Sequence, residues 1–437
     1  MGSGELAIQP AAERPEFKNP APGLTPEEFI QKIIELRPLI RAQQERADEL
    51  GGYVPEVHEK LLSFGGYRPL QPRRYGGHEY DIPTFLKAAI EMARSDPGSG
   101  WCYTFGAGHV LMLASHFNEK AQDEIFGLFN GLALAPLRAP TTGTAKKVDG
   151  GYIINGAWDY ASGIPYATHV MPTARVVEEG SDAPVDFIIP VIPKGKYKVH
   201  ADTWGGDLTL GLRASGSHTF SVDNVFVPDH MVTPVYPTQR AGEDPTGTPG
   251  VKLHGNTMYL GLNTSFFGST IASVMVGAAW AAIDEFDVVL RTKRTVGPPF
   301  QERYKSHDYQ RVFGEAMLLA RAAETILLDV GRSLMAAYKR WGDGVLYSAR
   351  EDFMLGGMAS EAARLASEAV EMIFYAGGSS GAMRGQRLNR YYRDMATYRT
   401  HPIAQYGATA EAIAQAHFDL PLPLLEAVGG NRSRRTA

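Results

Sequence analysis

A single cysteine, Cys102, occurs in 437 residues. No disulfide can form within the chain, and a reducing compartment is expected. Cys102 lies in an apolar run, where a thiol reads as a buried structural group. Positive charge is not in excess either. The formal net charge is -5, whereas a nucleic-acid binder would carry a basic field. No apolar stretch near the N-terminus has the form of a signal peptide, and no run reads as a membrane span. A soluble cytoplasmic protein is expected. Also missing are a G-x-G-x-x-G or P-loop spacing in a strand-to-helix context, any nicotinamide-binding signature, and any internal repeat.

What is present is an ordinary globular composition, 44% apolar and 21% charged, in a chain too long for one core. Residues 1–24 read as a flexible extension. Residues 25–130 read as a helical domain. In it Thr25-Pro26-Glu27-Glu28 supplies an N-cap, a first-turn proline and a capping-box glutamate. Phe29, Ile33, Leu36 and Ile40 then follow at helical spacing, with Pro38 as a kink or break. Further helices are predicted over Val54–Phe64 and Ile82–Arg94. Residues 101–114 are apolar nearly all round and read as a buried helix. From 131 to 235 the period changes to that of strands, beginning with a hairpin at Asp149-Gly150-Gly151. Residues 236–256, rich in Pro, Gly and Thr, read as a loop or linker. Long helical patterns at Ser265–Thr295, His307–Trp341, Ser348–Tyr375 and Ile403–His417 predict an antiparallel bundle over 257–420. Residues 421–437 read as a tail.

Two histidines stand out. His109 is the only group inside the apolar run 101–114 that ordinarily titrates near neutral pH; it is either a core histidine bonded to a carbonyl or a proton acceptor in an apolar pocket. His401 precedes Pro402, which holds it out of helical conformation at a corner, beside a segment containing Arg387, Arg390, Arg393 and Arg399.

The segments Pro72-Arg-Arg-Tyr-Gly-Gly77, Gly156-Ala-Trp-Asp-Tyr-Ala-Ser-Gly163, Val225-Phe-Val-Pro228 and Arg393-Asp394 resemble the acyl-CoA dehydrogenase fold, over roughly residues 26–420. That resemblance implies a mainly α protein with three parts: an N-terminal helical domain, a central β-domain and a C-terminal four-helix bundle. It also implies flavin bound between the domains and a homotetramer. Within the fold, three features are similar to the oxygenase components of two-component flavin-dependent monooxygenases. These are Gly100-Trp101 with His109 eight residues on, Asp159-Tyr-Ala-Ser-Gly163, and Arg393-Asp394 with His401.

This resemblance implies that reduced flavin and dioxygen act through a C4a-hydroperoxyflavin to hydroxylate an aromatic substrate, phenolic or indole-like. Ser162 would bond flavin N5, His401 would serve the peroxide, and His109 would face the substrate and take its proton. Trp101 would lie against the flavin, and Phe105, Phe266 and Phe267 would line the substrate pocket. Candidates for the flavin's phosphates are Ser215, Ser217, Arg291, Lys293 and Arg294, with Gly377 and Gly378 approaching from a neighbouring subunit. Arg294-Thr-Val-Gly297 is a reduced form of an adenine-binding motif and leans toward FMN over FAD. Electrons would come from a separate NAD(P)H-dependent reductase. No metal site is expected.

Departures leave alternatives. Thr400-His401-Pro402-Ile403 lacks the glutamate that the commoner dehydrogenases carry there, so a dehydrogenase would need one elsewhere. Oxidation at nitrogen or sulfur uses the same flavin chemistry. Thr264 stands where a carboxylate-binding arginine would be expected, and Ala135-Pro-Leu-Arg138 replaces a serine-rich strand.

Overall fold

The computed structural model describes residues 17–178, 184–235, 241–261 and 264–420. Most of the expected N-terminal extension, the tail and residues 236–240 of the linker lie outside them.

The N-terminal part is eight helices: α1 (Pro26–Glu35), α2 (Arg37–Ala42), α3 (Gln44–Leu50), α4 (Pro55–Ser63), α5 (Ile82–Ser95), α6 (Pro97–Gly108), α7 (Val110–His116) and α8 (Glu119–Gly127). The capping box forms as predicted. Thr25 Oγ1 accepts from the Glu28 N–H at 3.2 Å, and the Glu28 carboxylate accepts from the Thr25 N–H at 2.9 Å. Such a cap stabilises a helix by about 1 kcal/mol. The break near Pro38 falls at Leu36, and the proline sits in the first turn of α2, where its missing N–H costs nothing. Helices α6 and α7 meet at His109, which ends one and starts the other.

Eight strands follow: β1 (Leu137–Val148), β2 (Gly151–Trp158), β3 (His169–Val177), β4 (Pro184–Pro190), β5 (Ile192–Pro193), β6 (Lys198–His200), β7 (Thr219–Pro228) and β8 (Val232–Pro234). They form a sheet in the order β6-β7-β2-β1-β3-β4-β8, with β5 on β3. β1 and β3 are parallel and the other pairs antiparallel. The hairpin closes at Val148–Gly151, where predicted. The expected linker is more structured than its composition suggests. It carries α9 (Pro249–His254), capped by Thr248 and lying against α7, so closely that a Cβ at Gly250 would collide with the Ala114 carbonyl.

The bundle comprises α10 (Thr264–Thr292), α11 (His307–Gly342), α12 (Ala349–Gly377), α13 (Arg387–Tyr398) and α14 (Tyr406–His417). Helix α10 is the axis of the molecule and packs on α5, α6, α11, α12 and α13. Contrary to the sequence expectation, it is long and apolar enough to cross a membrane. Yet 94% of its most apolar window is buried inside the fold, as befits a core helix. Its first turn is held by Asp352 of α12, which accepts from the N–H groups of Thr264 (3.0 Å) and Ser265 (3.1 Å). Helix α13 was not foreseen, because its arginines hide the apolar row Leu388, Tyr391, Met395, Tyr398.

Candidate active site

Helix α6 sets the site. Trp101, Phe105 and His109 recur every fourth residue, so they share one face. Their rings form a continuous row. Trp101 lies 5.1 Å from Phe105, Phe105 lies 5.2 Å from His109, and His109 stacks on Phe267 of α10 at 6.1 Å with planes 5° apart. At the other end Trp101 meets His401 edge-to-face at 5.7 Å and Tyr398 at 6.5 Å. Elements distant in sequence thus converge on one aromatic wall.

The polar edge of that wall comes from the β-domain. Trp101 Nε1 donates to Ser162 Oγ at 2.9 Å. Ser162 Oγ shares a hydrogen with Ser217 Oγ (2.8 Å), which shares one with Ser215 Oγ (2.6 Å). Ser162 occupies a tight turn. Gly163 follows at φ 84°, and a Cβ there would press on the Cys102 carbonyl at 2.9 Å, so glycine is needed for conformation and for space. A serine oxygen has two lone pairs and one hydrogen. The Trp101 N–H takes one lone pair, and either hydroxyl can donate in the Ser162–Ser217 bond; when Ser162 gives its hydrogen to Ser217, its second lone pair is free to accept.

Both histidines are neutral at physiological pH. Burial holds His109 down to about 4. Burial, then the nearby Arg138 guanidinium, holds His401 down to about 4. In each, a backbone N–H occupies Nδ1: Leu137 donates to His109 at 3.0 Å, and Ile403 donates to His401 at 3.2 Å. A neutral ring accepting at Nδ1 carries its proton on Nε2. The Ala135 carbonyl acts in the opposite sense at His109, favouring a protonated ring; the directed Leu137 bond fixes the tautomer of the neutral form. Nε2 of His109 is buried and meets no partner among the described residues. In this tautomer Nε2 is a buried donor, the reverse of the proton acceptor expected from the sequence.

Other expectations fare differently. Phe266 is fully buried and packs on Phe85 at 6.0 Å, in the core rather than against His109. Neighbours on a helix point about 100° apart, and Phe267 is the one that faces the site. Arg291 and Arg294 are also away from it. Arg291 lies about 36 Å along α10 from Phe267, at 1.5 Å per residue. It is exposed and pairs with Asp287, while Arg294 donates to the Phe300 carbonyl. Gly377 and Gly378 lie at that far end too. Gly378 lines an open pocket of about 670 Å³ with Arg303, Ser379 and Ser380. Arg303 donates to the Gly377 carbonyl, and Lys293 to Ser380 Oγ. Sequence reasoning missed Arg303. It missed Arg138 as well, which is tied to the Asp159 carbonyl and carboxylate beside Tyr160, at the entrance to the Ser162 turn.

An aromatic row edged by hydroxyls, with Ser162 accepting from Trp101 and a buried unpartnered Nε2 on His109, fits the ring system and polar edge of a flavin facing a small substrate. Among the described residues no cluster of three or more metal-binding side chains occurs.

Residues 269–406 match the model of the acyl-CoA dehydrogenase C-terminal domain. The chain is 29% identical over 406 residues to a pigment production hydroxylase of Rhodococcus sp. (strain ATCC 21145), covering 92% of this chain and 100% of that one. It is 27% identical to the flavin-dependent monooxygenase oxygenase subunit HsaA of Rhodococcus jostii (strain RHA1), with 90% and 99% covered. It is 25% identical to the oxygenase component of p-hydroxyphenylacetate 3-hydroxylase of Acinetobacter baumannii, with 89% and 88% covered. Among solved structures, XiaF from Streptomyces sp. in complex with FADH2 and glycerol superposes with a TM-score of 0.82 at 24% identity, covering 91% of this chain and 96% of that one. Fold and site together define an oxidoreductase built on the acyl-CoA dehydrogenase fold. Within that class, the relatives that the chain resembles over most of its length include proteins named as oxygenase components of flavin-dependent monooxygenases.

Proposed function

We propose that the chain receives reduced flavin from a separate NAD(P)H-dependent reductase and uses dioxygen to hydroxylate a small aromatic substrate, phenolic or indole-like, in the cytoplasm. The observation that carries this reading is the pairing of one oriented acceptor, Ser162, with two neutral histidine donors across the Trp101–Phe105 row. Bound reduced flavin would supply two electrons to dioxygen, so that one oxygen atom enters the substrate and the other leaves as water.

The protein's own groups do the rest. Ser162 would accept a hydrogen bond at the edge of a bound flavin and so help retain a proton there, which would slow loss of hydrogen peroxide. His401, neutral and donating, stabilises negative charge on the oxygen side. His109 donates from Nε2 to the substrate hydroxyl or its anion, which positions the ring and favours its electron-rich form. Phe105 and Phe267 exclude water. Ser215 and Ser217 fix the direction of the hydroxyl chain.

The far pocket at Gly377–Ser380, with Arg303 and Lys293, suits the phosphate end of a flavin held mainly by a neighbouring copy, in a homotetramer. Exposed Leu318, Met317 and Met354 on α11 and α12 provide apolar surface for such contacts. The reduced motif at Arg294 favours FMN. An acyl-CoA dehydrogenase with a relocated catalytic glutamate would need a free buried glutamate as base. The buried glutamates among the described residues, Glu91 and Glu324, are both engaged, with Arg37 and Lys87.

The test is turnover with reduced FMN or FAD generated by an added NADH-dependent flavin reductase under heavy-isotope dioxygen, with phenols, indole, a thioether and a tertiary amine as candidates. Heavy oxygen on an aromatic carbon supports the proposal. Label on sulfur or nitrogen alone would move the substrate class. Bleaching of bound FAD by an acyl-CoA would replace the proposal with a dehydrogenase.

A further inference from the structure

Behind the aromatic wall lies a buried ion cluster with no part in the chemistry described so far. Arg390 of α13, almost wholly buried, reaches Asp96 through Nε at 2.6 Å and Asp48 of α3 through Nη1 at 2.7 Å. Asp394, one turn on, accepts from the Leu212 N–H at 2.6 Å; its other oxygen is buried without a partner among the described residues. Gln44 donates to Asp96 at 3.3 Å, Ser99 Oγ donates to it at 2.7 Å, and Arg393 stands 3.9 Å from Asp48 at the cluster's edge. Three carboxylates therefore surround one fully buried guanidinium.

Each contact joins a segment that carries a site residue. Asp96 is the N-cap of α6, five residues before Trp101. Arg390 lies on α13, which leads into Tyr398 and His401. Leu212 opens the loop to Ser215 and Ser217. A Cβ on Gly211 would collide with the Arg393 carbonyl, so that loop lies directly on α13. The start of α6 thus meets α13 through charge at Asp96–Arg390 and through rings at Trp101–Tyr398, and meets the corner just beyond α13 through rings at Trp101–His401. Buried ion pairs stabilise little, because desolvation offsets attraction, but they penalise every arrangement that leaves a charge unpaired.

We infer that Arg390 and Asp394 are positioning residues, which fix the spacing of Trp101, His401 and the Ser215–Ser217 hydroxyls and so set how tightly the oxygen chemistry is protected. The inference rests on the oxygenase reading. Burial raises Asp394 to about 7, with Asp96 and Asp48 acting the same way and Arg390 opposing. The cluster therefore gains a negative charge as pH rises through neutrality.

The experiment follows hydrogen peroxide release after reduced FMN and dioxygen are mixed with the protein, without substrate, from pH 6 to 8.5. It is combined with crystal structures of the flavin-free variants. Arg390→Lys keeps the charge but loses the planar fork. It should speed release at least about tenfold, since displacements near 1 Å cost about a hundredfold in such sites. It should also widen the Trp101–His401 separation beyond 5.7 Å. Asp394→Asn keeps the Leu212 acceptor and removes the titration, so release should stay slow at pH 8.5, where release from the native protein should be faster. Arg94→Lys, at the unrelated Asp284 pair, should lower stability without changing release. Wild-type release in both cluster variants, with unchanged ring spacing, overturns the inference. If the native protein itself releases peroxide as fast as free reduced FMN, the oxygenase reading fails, and the ring spacing in flavin-free Arg390→Lys alone decides the positioning claim. Should that variant not fold, Asp394→Asn decides it by its pH profile.

Discussion

His109 and His401 sit at opposite ends of one aromatic row and share more than sequence would suggest. Each has Nδ1 bonded to a backbone N–H, each is held neutral by burial, and each therefore presents Nε2–H. Their surroundings separate them. His109 is wholly enclosed by Phe105 and Phe267, with no charge among the causes of its shift. His401 is half-buried against Trp101, with the Arg138 guanidinium nearby. One is suited to hold an apolar substrate by a single polar point, the other to stabilise charge that develops on oxygen. Two like groups acquire different tasks from what encloses them.

The sharpest way to break this comparison is to exchange donor for nothing at each end. His109→Ala should lower product formation by about 10²–10⁴-fold, the range for a positioned acid–base group, with little change in the oxygen reaction. His109→Gln, which places an N–H near the native Nε2, should recover activity to within about tenfold of wild type. A glutamine variant as inactive as alanine in single-turnover assays would instead make His109 a base. At the other end, Ser162→Ala and His401→Ala should leave substrate binding intact and divert about nine-tenths or more of the reduced flavin to peroxide. Product yield per flavin consumed measures this.

Stability carries a smaller signature, with opposite signs in two places. His109 binds fewer protons folded than unfolded between about 4 and its ordinary 6.5. Its contribution is thus full above 6.5 and lost as pH falls toward 4. Asp394 binds more protons folded than unfolded between 3.8 and about 7, so it costs stability as pH rises through that window. Denaturant titrations should show a shallower acid loss for His109→Gln. For Asp394→Asn they should show a gain over wild type that grows from pH 4 to 7. The smallest effect expected is that of Arg138→Met. Removing that guanidinium relieves one of the two causes depressing His401, so the acid limb of the rate profile moves to higher pH.

Much of this was legible in the chain. Helical period, the capping box and the Gly-Gly turn marked the elements, and the resemblance brought His109, Ser162 and His401 to one site. What was hidden followed from distance and direction. Arg390 read only as one of four arginines in the segment before His401, because its partner Asp96 is 294 residues away in sequence. Phe266 and Phe267 are equivalent in composition, and only the rotation of α10 tells them apart. Arg291 shares a helix with Phe267, and Arg294 lies just past its end, but neither shares its neighbourhood, since a 29-residue helix separates its ends by about 43 Å. The tautomers of both histidines depend on backbone N–H groups that no side-chain motif records.

The central claim is that the Ser162–Trp101–His401 end protects the product of reduced flavin and oxygen. It is tested most directly by mixing the protein with reduced FMN anaerobically, then rapidly with dioxygen, while following near-ultraviolet absorbance. The account predicts a transient species that outlives the reaction of free reduced FMN and is shortened in Ser162→Ala. Return to oxidised flavin at the free rate, with FMN and with FAD alike, would contradict it.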